Sequence, residues 1–145
     1  MDSKVSKVRQ LKLLMEVTRL LIDSGVCPKS DRAFSEWFRM VVFCHNHGYL
    51  YVGFNGERID LAVVAYRVPE ITSETGNSIP ETESGNILYV PMAASKTDDK
   101  LKLTRLLRLY VKDNPEVKEI SYHYRNSNIL KRFHLRSNHG QTIEA

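Results

Sequence analysis

The apolar positions in the first third of the chain follow a helical period. From Val8 to Ile22 they fall on one stripe at helical spacing, and the basic residues Lys7, Arg9, Lys12 and Arg19 lie mostly off it. The same spacing begins again after Ser30 or Asp31, either of which can cap a helix, and continues to Gly48. The pattern therefore predicts two amphipathic helices.

The period then changes to that of a β-strand. Two runs rich in β-branched and aromatic residues, YLYVGF and ERIDLAVVAYRV, flank the dipeptide Asn55-Gly56. This arrangement is typical of a β-hairpin, because both turn residues tolerate positive φ. The second strand is predicted over Ile59 to Val68.

Residues 70–86 are polar and rich in Ser, Thr, Glu and Gly, which predicts a loop. A loop of this length is typical of a lid or a mobile segment, and equally of a disordered one. Residues 137–145 predict a frayed C-terminal tail.

The pattern after this loop predicts four further elements. They are a buried strand over 87–94, a helix from Thr97 or Asp98 to Asn114, a strand over 117–125 and a short basic helix over 126–135. A strand, helix, strand segment in one sheet implies a parallel pair joined by a right-handed crossover. The predicted fold class is therefore α/β (α+β), with a mixed antiparallel and parallel central sheet flanked by helices.

Composition narrows the class of protein. A chain of 145 residues with 42% hydrophobic content is long enough for one core, so we expect a single domain over residues 1–145. No apolar run approaches the roughly 20 residues needed to cross a bilayer, and MDSKVSKVRQ lacks the apolar block of a secretion signal. We therefore expect a cytoplasmic protein with no membrane partner.

The run CHNH, residues 44–47, invites a metal interpretation. A zinc site needs about four ligands in recognisable pairs, and of the possible further ligands only Cys27 lies upstream. Histidines at the end of a helix also interact favourably with the negative end of its dipole. We therefore predict no metal site here.

The C-terminal half carries many cations. They share one surface if the two predicted basic helices lie on the same side, and they are Lys100, Lys102, Arg105, Arg108, Arg125, Lys131, Arg132 and Arg136. Such a surface suits nucleic-acid phosphates, the phosphates of a CoA-like ligand or an acidic carrier protein. A solvated helix face is the simpler interpretation.

The order of elements from about residue 33 to residue 135 resembles the fold of GCN5-related N-acetyltransferases (GNAT). Two helices, a hairpin with a glycine turn, the central strand ILYVPMAA, a crossover helix and a last strand and helix carry the resemblance. It implies that acetyl-CoA or another acyl-CoA lies where the central strand and the next parallel strand splay apart. The acceptor would then be an amine-bearing small molecule or protein.

The resemblance also implies a set of donor-binding residues. Val90, Met92 and Ala93 on the central strand would offer backbone hydrogen bonds to the pantetheine arm, and Lys96 would meet phosphate. Asn126 matches the Asn that GNAT proteins often carry at the start of the last helix.

The resemblance implies catalytic candidates as well. GNAT proteins often place a proton-donating Tyr seven residues after that Asn, but this sequence has Phe133, which has no proton to give. Tyr124 or His134 would then supply the proton to the leaving thiolate, and Glu57 or Asp60 would accept the proton of the amine.

Tyr122 and Tyr124 alternate with His123 along the predicted strand, so the two tyrosines share one face. Beside an acyl-donor cleft, a tyrosine pair would hold or protonate a thiolate. Half-buried aromatic residues of a sheet are the alternative interpretation.

The sequence departs from the GNAT pattern at the phosphate loop. The equivalent stretch, ASKTDD at residues 94–99, has no glycine, and its two Asp residues would repel an anion while favouring the start of a helix. Toxin-activating lysine acyltransferases, which are similar in core order, also lack this glycine loop. Their catalytic Asp and early His have no counterpart here, since ILYVPMAA has no carboxylate and no His precedes His45.

Three functions remain open from the sequence. The first is an acyl-CoA-dependent N-acyltransferase that transfers an acyl group to an amine. The second is a non-catalytic GNAT-like binding or assembly protein. The third is a small nucleic-acid-binding protein that uses its basic helices.

Overall fold

A computed structural model describes residues 3–71, 84–96, 100–123 and 130–135. The order along the chain is α1 (Ser3–Asp23), α2 (Phe34–Asn46), β1 (Leu50–Asn55), β2 (Arg58–Val68), β3 (Ile87–Ser95), α3 (Lys100–Asp113), β4 (Glu119–His123) and β5 (Leu130–His134).

The strands form one five-stranded sheet in the order β1-β2-β3-β4-β5. β1 pairs antiparallel with β2, β3 pairs parallel with β4, and β4 pairs antiparallel with β5. The parallel pair requires a crossover, and α3 supplies it. The predicted mixed sheet with helices is therefore confirmed.

The hairpin between β1 and β2 forms where the turn residues predict it. Asn55 lies opposite Arg58, and Gly56 has a φ of 65°. Residues with a side chain rarely adopt this left-handed backbone conformation, so glycine suits the position. The register shifts between Gly53 and Phe54, which marks a β-bulge just before the turn.

The last predicted element is wrong over its described part. Residues Leu130–His134 form strand β5 at an edge of the sheet, rather than a basic helix. The edge of β4 offers a ladder of backbone hydrogen bonds, and this pairing outweighs the weak local preference of so short a segment. Residues 124–129, where the helix was expected to begin, lie outside the described residues.

The start of α2 also differs from the prediction. The N-cap residue is Ala33, with no side-chain hydrogen bond to the helix. The predicted caps belong to the turn before it, where the N–H of Asp31 donates to the carbonyl of Pro28 over 3.1 Å. Gly48, with a φ of 75°, follows the end of the helix as predicted.

The chain forms two compact units, Met1–Val64 with Met92–Asp99, and Ala65–Pro91 with Lys100–Ala145. In the first unit, α1 and α2 bury an apolar core against the sheet, and its fully buried members include Val17, Leu21 and Val41. In the second unit, the largest fully buried side chains are Tyr66, Leu88, Val117 and Ile120. The single domain, its loop 70–86 and its tail 137–145 stay predictions, and residues 72–83 and 136–145 lie outside the described ranges.

Candidate functional site

The parallel pairing of β3 with β4 is short. Its register runs from Ile87 opposite Glu119 to Tyr89 opposite Ser121. β3 nevertheless continues to Ser95, and β4 continues to His123. Among the described residues, Val90 therefore has no register partner in β4, and a strand without a neighbour presents its backbone N–H and C=O groups on that side.

An aromatic pair lies directly after the last residue of β4 that pairs with β3. Tyr122 is half-buried, and its ring stacks on that of Phe133, with centroids 5.6 Å apart and an interplanar angle of 13°. Phe133 lies opposite Ile120, two residue positions from Lys131, the partner of Tyr122 in β5. The predicted location of Phe133 on a terminal helix is therefore wrong, because Phe133 belongs to β5 and packs on β4.

A polar cluster lies on the other face of the β4 and β5 pair. The hydroxyl of Ser121, which is fully buried, donates to the carboxylate of Glu119 over 2.5 Å. The second oxygen of Glu119 lies 3.6 Å from Nδ1 of His134, which is the cross-strand partner of Glu119. His134 is 72% exposed in its side chain. A predicted catalytic residue is thus held beside a buried carboxylate, two positions before the parallel register ends.

Sequence reasoning missed the partners of His134. Glu119 and Ser121 are two residues apart on one strand, so their side chains share a face. The sequence spacing alone therefore indicates that Glu119 and Ser121 are neighbours. Their pairing with His134, however, depends on the antiparallel register of β5, which the helical prediction had excluded.

In the first unit, the structure brings together two other predicted residues. The backbone N–H of Lys96 donates to the carbonyl of Asp60 over 2.9 Å. Asp60 is buried, with 8% of its surface exposed, whereas Lys96 is exposed. Glu57 lies apart from this contact, exposed in the hairpin turn.

Three of the predicted donor-binding residues, Val90, Met92 and Ala93, lie on β3. The Met92 sulfur is 3.7 Å from the Cys27 thiol, and the Met92 side chain packs on the core of the first unit. Ala93 is half-buried and Val90 is buried. Two predicted residues, Tyr124 and Asn126, lie outside the described residues.

Tyr89 lies opposite Ser121 in the parallel register. Burial raises the pKa of the Tyr89 phenol above its ordinary value. Its ring meets that of Tyr66 edge-on, with centroids 5.8 Å apart. Tyr89 is therefore a buried, well-packed side chain at the end of the parallel register.

A second polar cluster joins β2 to the segment before β3. Arg67 donates from Nε to the Gly85 carbonyl over 2.9 Å and forms an ion pair with Glu116. These three residues, with Pro69 and Asn86, line an open cavity of about 420 Å³. Because the guanidinium is already paired, the cluster links β2 to the backbone at Gly85 rather than offering a site for an anion.

The CHNH run ends α2, and its histidines have local partners. His47 Nδ1 lies 2.9 Å from the Phe43 carbonyl, and His45 Nε2 contacts the side-chain amide of Gln10. Over the described ranges, no group of three or more His, Cys, Asp or Glu side chains is placed to hold a metal ion. No helix in the described part of the chain is long and apolar enough to cross a membrane.

Comparison with known proteins identifies the fold. No family model matches the sequence, and no curated protein matches it. The structure is similar to that of the GNAT-like decarboxylase GphF in complex with isobutyryl-CoA, with a TM-score of 0.54 over 81% of this chain at 15% identity. The chain has a GNAT-like fold. It spans 64% of the length of the GphF chain. The GNAT-like fold predicted from the element order is therefore confirmed.

Proposed function

We propose that the protein binds an acyl-CoA beside β3, beginning at Val90, where β3 no longer pairs with β4. The end of that parallel register is the observation that carries the proposal. The pantetheine arm contains two amide groups, which can bond to strand backbone much as a missing neighbouring strand would. The isobutyryl-CoA bound to the similar GphF structure supports the same class of ligand.

The reaction that we propose is transfer of the acyl group from the thioester to an amine. The carbonyl carbon forms a bond to nitrogen and loses its bond to sulfur, the amine releases a proton, and the thiolate takes one. Tyr122 is a proton donor candidate because it directly follows Ser121, the last residue of β4 that pairs with β3. His134, Tyr124, Glu57 and Asp60 remain the other candidates for moving these protons.

A non-catalytic acyl-CoA-binding protein is the second candidate. Residue 133 is a phenylalanine on β5, so it supplies no acid to a leaving thiolate. The ASKTDD stretch also lacks the glycine that allows close approach of backbone to pyrophosphate. Such a protein would bind the donor without consuming it.

Binding is tested by isothermal titration calorimetry with acetyl-CoA, isobutyryl-CoA and free CoA at low and moderate salt. We expect saturable binding that survives moderate salt, with the acyl-CoAs tighter than CoA. Lys96→Ala should weaken binding by several-fold, since Lys96 directly follows β3 and is the cation proposed to meet phosphate. Lys29→Ala removes the same charge from another exposed position and should have no effect. Absence of binding to all three compounds would exclude the proposal.

Turnover separates the two candidates. Protein, isobutyryl-CoA and a panel of primary amines are incubated, and free thiol and acylated amine are measured by mass spectrometry. Transfer is supported if both products accumulate in equal amounts and Tyr122→Phe lowers kcat by about tenfold or more with little change in donor affinity. Tight donor binding with no thiol release would instead identify a binding protein.

A further inference from the structure

The outer face of α3 combines cations with exposed leucines. Leu101 is 65% exposed and Leu109 is 61% exposed. Arg105, Arg108 and Lys112 are also exposed. At about 100° per residue and about 1.5 Å of rise, these five side chains fall within about a third of the helix circumference and extend along about 17 Å of its axis.

The charge of this face is of one sign. The only acidic residue of α3 is Asp113, at its last position. Within the part of the chain that the structure describes, no ion pair engages Arg105, Arg108 or Lys112. The face therefore attracts anionic partners, and its cations are not neutralised by described neighbours.

The protein's own core does not need these two leucines. The opposite side of α3 supplies Val111, which is buried, and four half-buried side chains, namely Leu103, Leu106, Leu107 and Tyr110. Leu101 and Leu109 each keep more than half of their surface exposed, so contact with a partner would bury further apolar area. Two such residues on one helical face, eight positions apart, match the spacing of two turns on a partner helix.

We propose that the face formed by Leu101, Arg105, Arg108, Leu109 and Lys112 docks an acidic amphipathic helix of a partner protein. The leucines would contact apolar residues of that helix, and the cations would pair with its carboxylates at the rim. Charge complementarity would accelerate encounter and define the orientation, with an affinity typical of a transient complex.

The mixture of residues on this face favours a protein over other anionic partners. Amphipathic helices that bind membranes separate an apolar face from a charged one, but here the leucines lie among the cations. Nucleic-acid phosphates would account for the cations and would leave the leucines without apolar contacts. The surface does not depend on acyl-CoA binding, because none of its residues belongs to the proposed donor site.

The test uses the full chain and three fluorescent probes in anisotropy titrations. The probes are a helical peptide of about 20 residues with Glu and Leu interleaved on one face, vesicles of phosphatidylcholine and phosphatidylserine, and a short duplex DNA. We expect the peptide to bind with micromolar Kd, more tightly than either other probe, and to lose affinity moderately with salt.

Variants separate the apolar and charged contributions. Leu101→Ser with Leu109→Ser should weaken peptide binding by about tenfold, and Arg105→Glu with Arg108→Glu should abolish it. Lys7→Glu with Arg9→Glu makes the same charge change on exposed positions of α1 and should leave the affinity within about twofold. Circular dichroism checks that each variant is folded.

Three outcomes would overturn the proposal. They are no peptide binding, equal or tighter binding to vesicles or DNA, and full peptide affinity in the serine variant. The last would show that the leucines contribute nothing and that the face acts only through its charge.

Discussion

Tyr122 on β4 and Phe133 on β5 stack with their rings 13° from parallel and their centroids 5.6 Å apart. The contact joins the edge strand to the strand beside it, directly after the point where β4 stops pairing with β3. It therefore stabilises the pairing of β4 with β5 at the place where the proposed donor site begins.

The aromatic stack should contribute measurably to stability. Phe133→Leu retains a large apolar side chain and removes the ring, so it should lower the free energy of unfolding by about 1 kcal/mol. Tyr122→Phe keeps both rings and should change it by less than about 0.5 kcal/mol. Urea denaturation of both variants measures the difference. An equal loss in the two variants would mean that the tyrosine hydroxyl, rather than the stack, is stabilising.

Arg67 should be more important than the carboxylate with which it pairs. Arg67→Met leaves the Gly85 carbonyl without its donor and should lower stability by about 1–2 kcal/mol. Glu116→Gln should have a smaller effect, since the Glu116 side chain is 48% exposed. Urea denaturation at low and high salt tests this, and a loss in Arg67→Met that disappears at high salt would contradict it.

The ion pair of Arg67 with Glu116 predicts that the stability of the fold depends weakly on pH in the acid range. A hydrogen bond from its own backbone lowers the pKa of Glu116, and Arg67 lowers it further. Because the folded-state pKa lies below the unfolded one, this stabilisation is present above the ordinary carboxyl pKa and is lost as pH falls through the lowered value. Glu116→Gln should therefore flatten the acid limb of a plot of stability against pH, and an unchanged limb would argue against the contribution.

Gly85 should tolerate no side chain. Its φ is 110°, and a Cβ atom there would lie 2.2 Å from the backbone oxygen of Val68. Gly85→Ala should therefore lower the free energy of unfolding by more than about 3 kcal/mol. Gly25→Ala is the matched control, since Gly25 has a φ of 84° with nothing within 4 Å, and it should lose only about 1 kcal/mol. Thermal and urea denaturation compare the two, and similar losses would refute the steric explanation.

The two buried cysteines should be unreactive and should weaken the fold at high pH. Burial raises the pKa of Cys27 to about 11 and that of Cys44 to about 12. Native protein should therefore react with a thiol reagent only as it unfolds. The folded-state pKa values exceed those of the unfolded chain, so their stabilisation is complete below the unfolded pKa and falls as pH rises towards the folded values. Cys27→Ala with Cys44→Ala should show a shallower alkaline decline in urea denaturation, and an unchanged decline would exclude this origin.

Local sequence patterns were sufficient to predict most of the secondary structure of the first unit. The spacing of apolar residues located α1, and Asn55-Gly56 located the hairpin, because helical period and turn chemistry are properties of neighbouring residues. The same reasoning placed β3 and the crossover α3, and so led to the GNAT-like fold.

The candidate site was only partly predictable. The sequence predicts separate roles for Lys96 and Asp60, whereas the hydrogen bond that joins their backbones depends on how the hairpin packs against the end of β3. The sequence places His134 on a helix, and a helix there gives no indication of its cross-strand partner Glu119.

The sequence by itself determined the helical and strand periods, the hairpin turn and the order of elements, because each depends on residues close together in the chain. Only the tertiary structure decided that residues 130–134 form a strand, that Phe133 stacks on Tyr122, and that the parallel pairing of β3 and β4 ends at Tyr89. These features depend on which distant strand offers its backbone edge and in which register. The free energy of that pairing comes from residues far apart in the chain, so no local segment of the sequence reveals it.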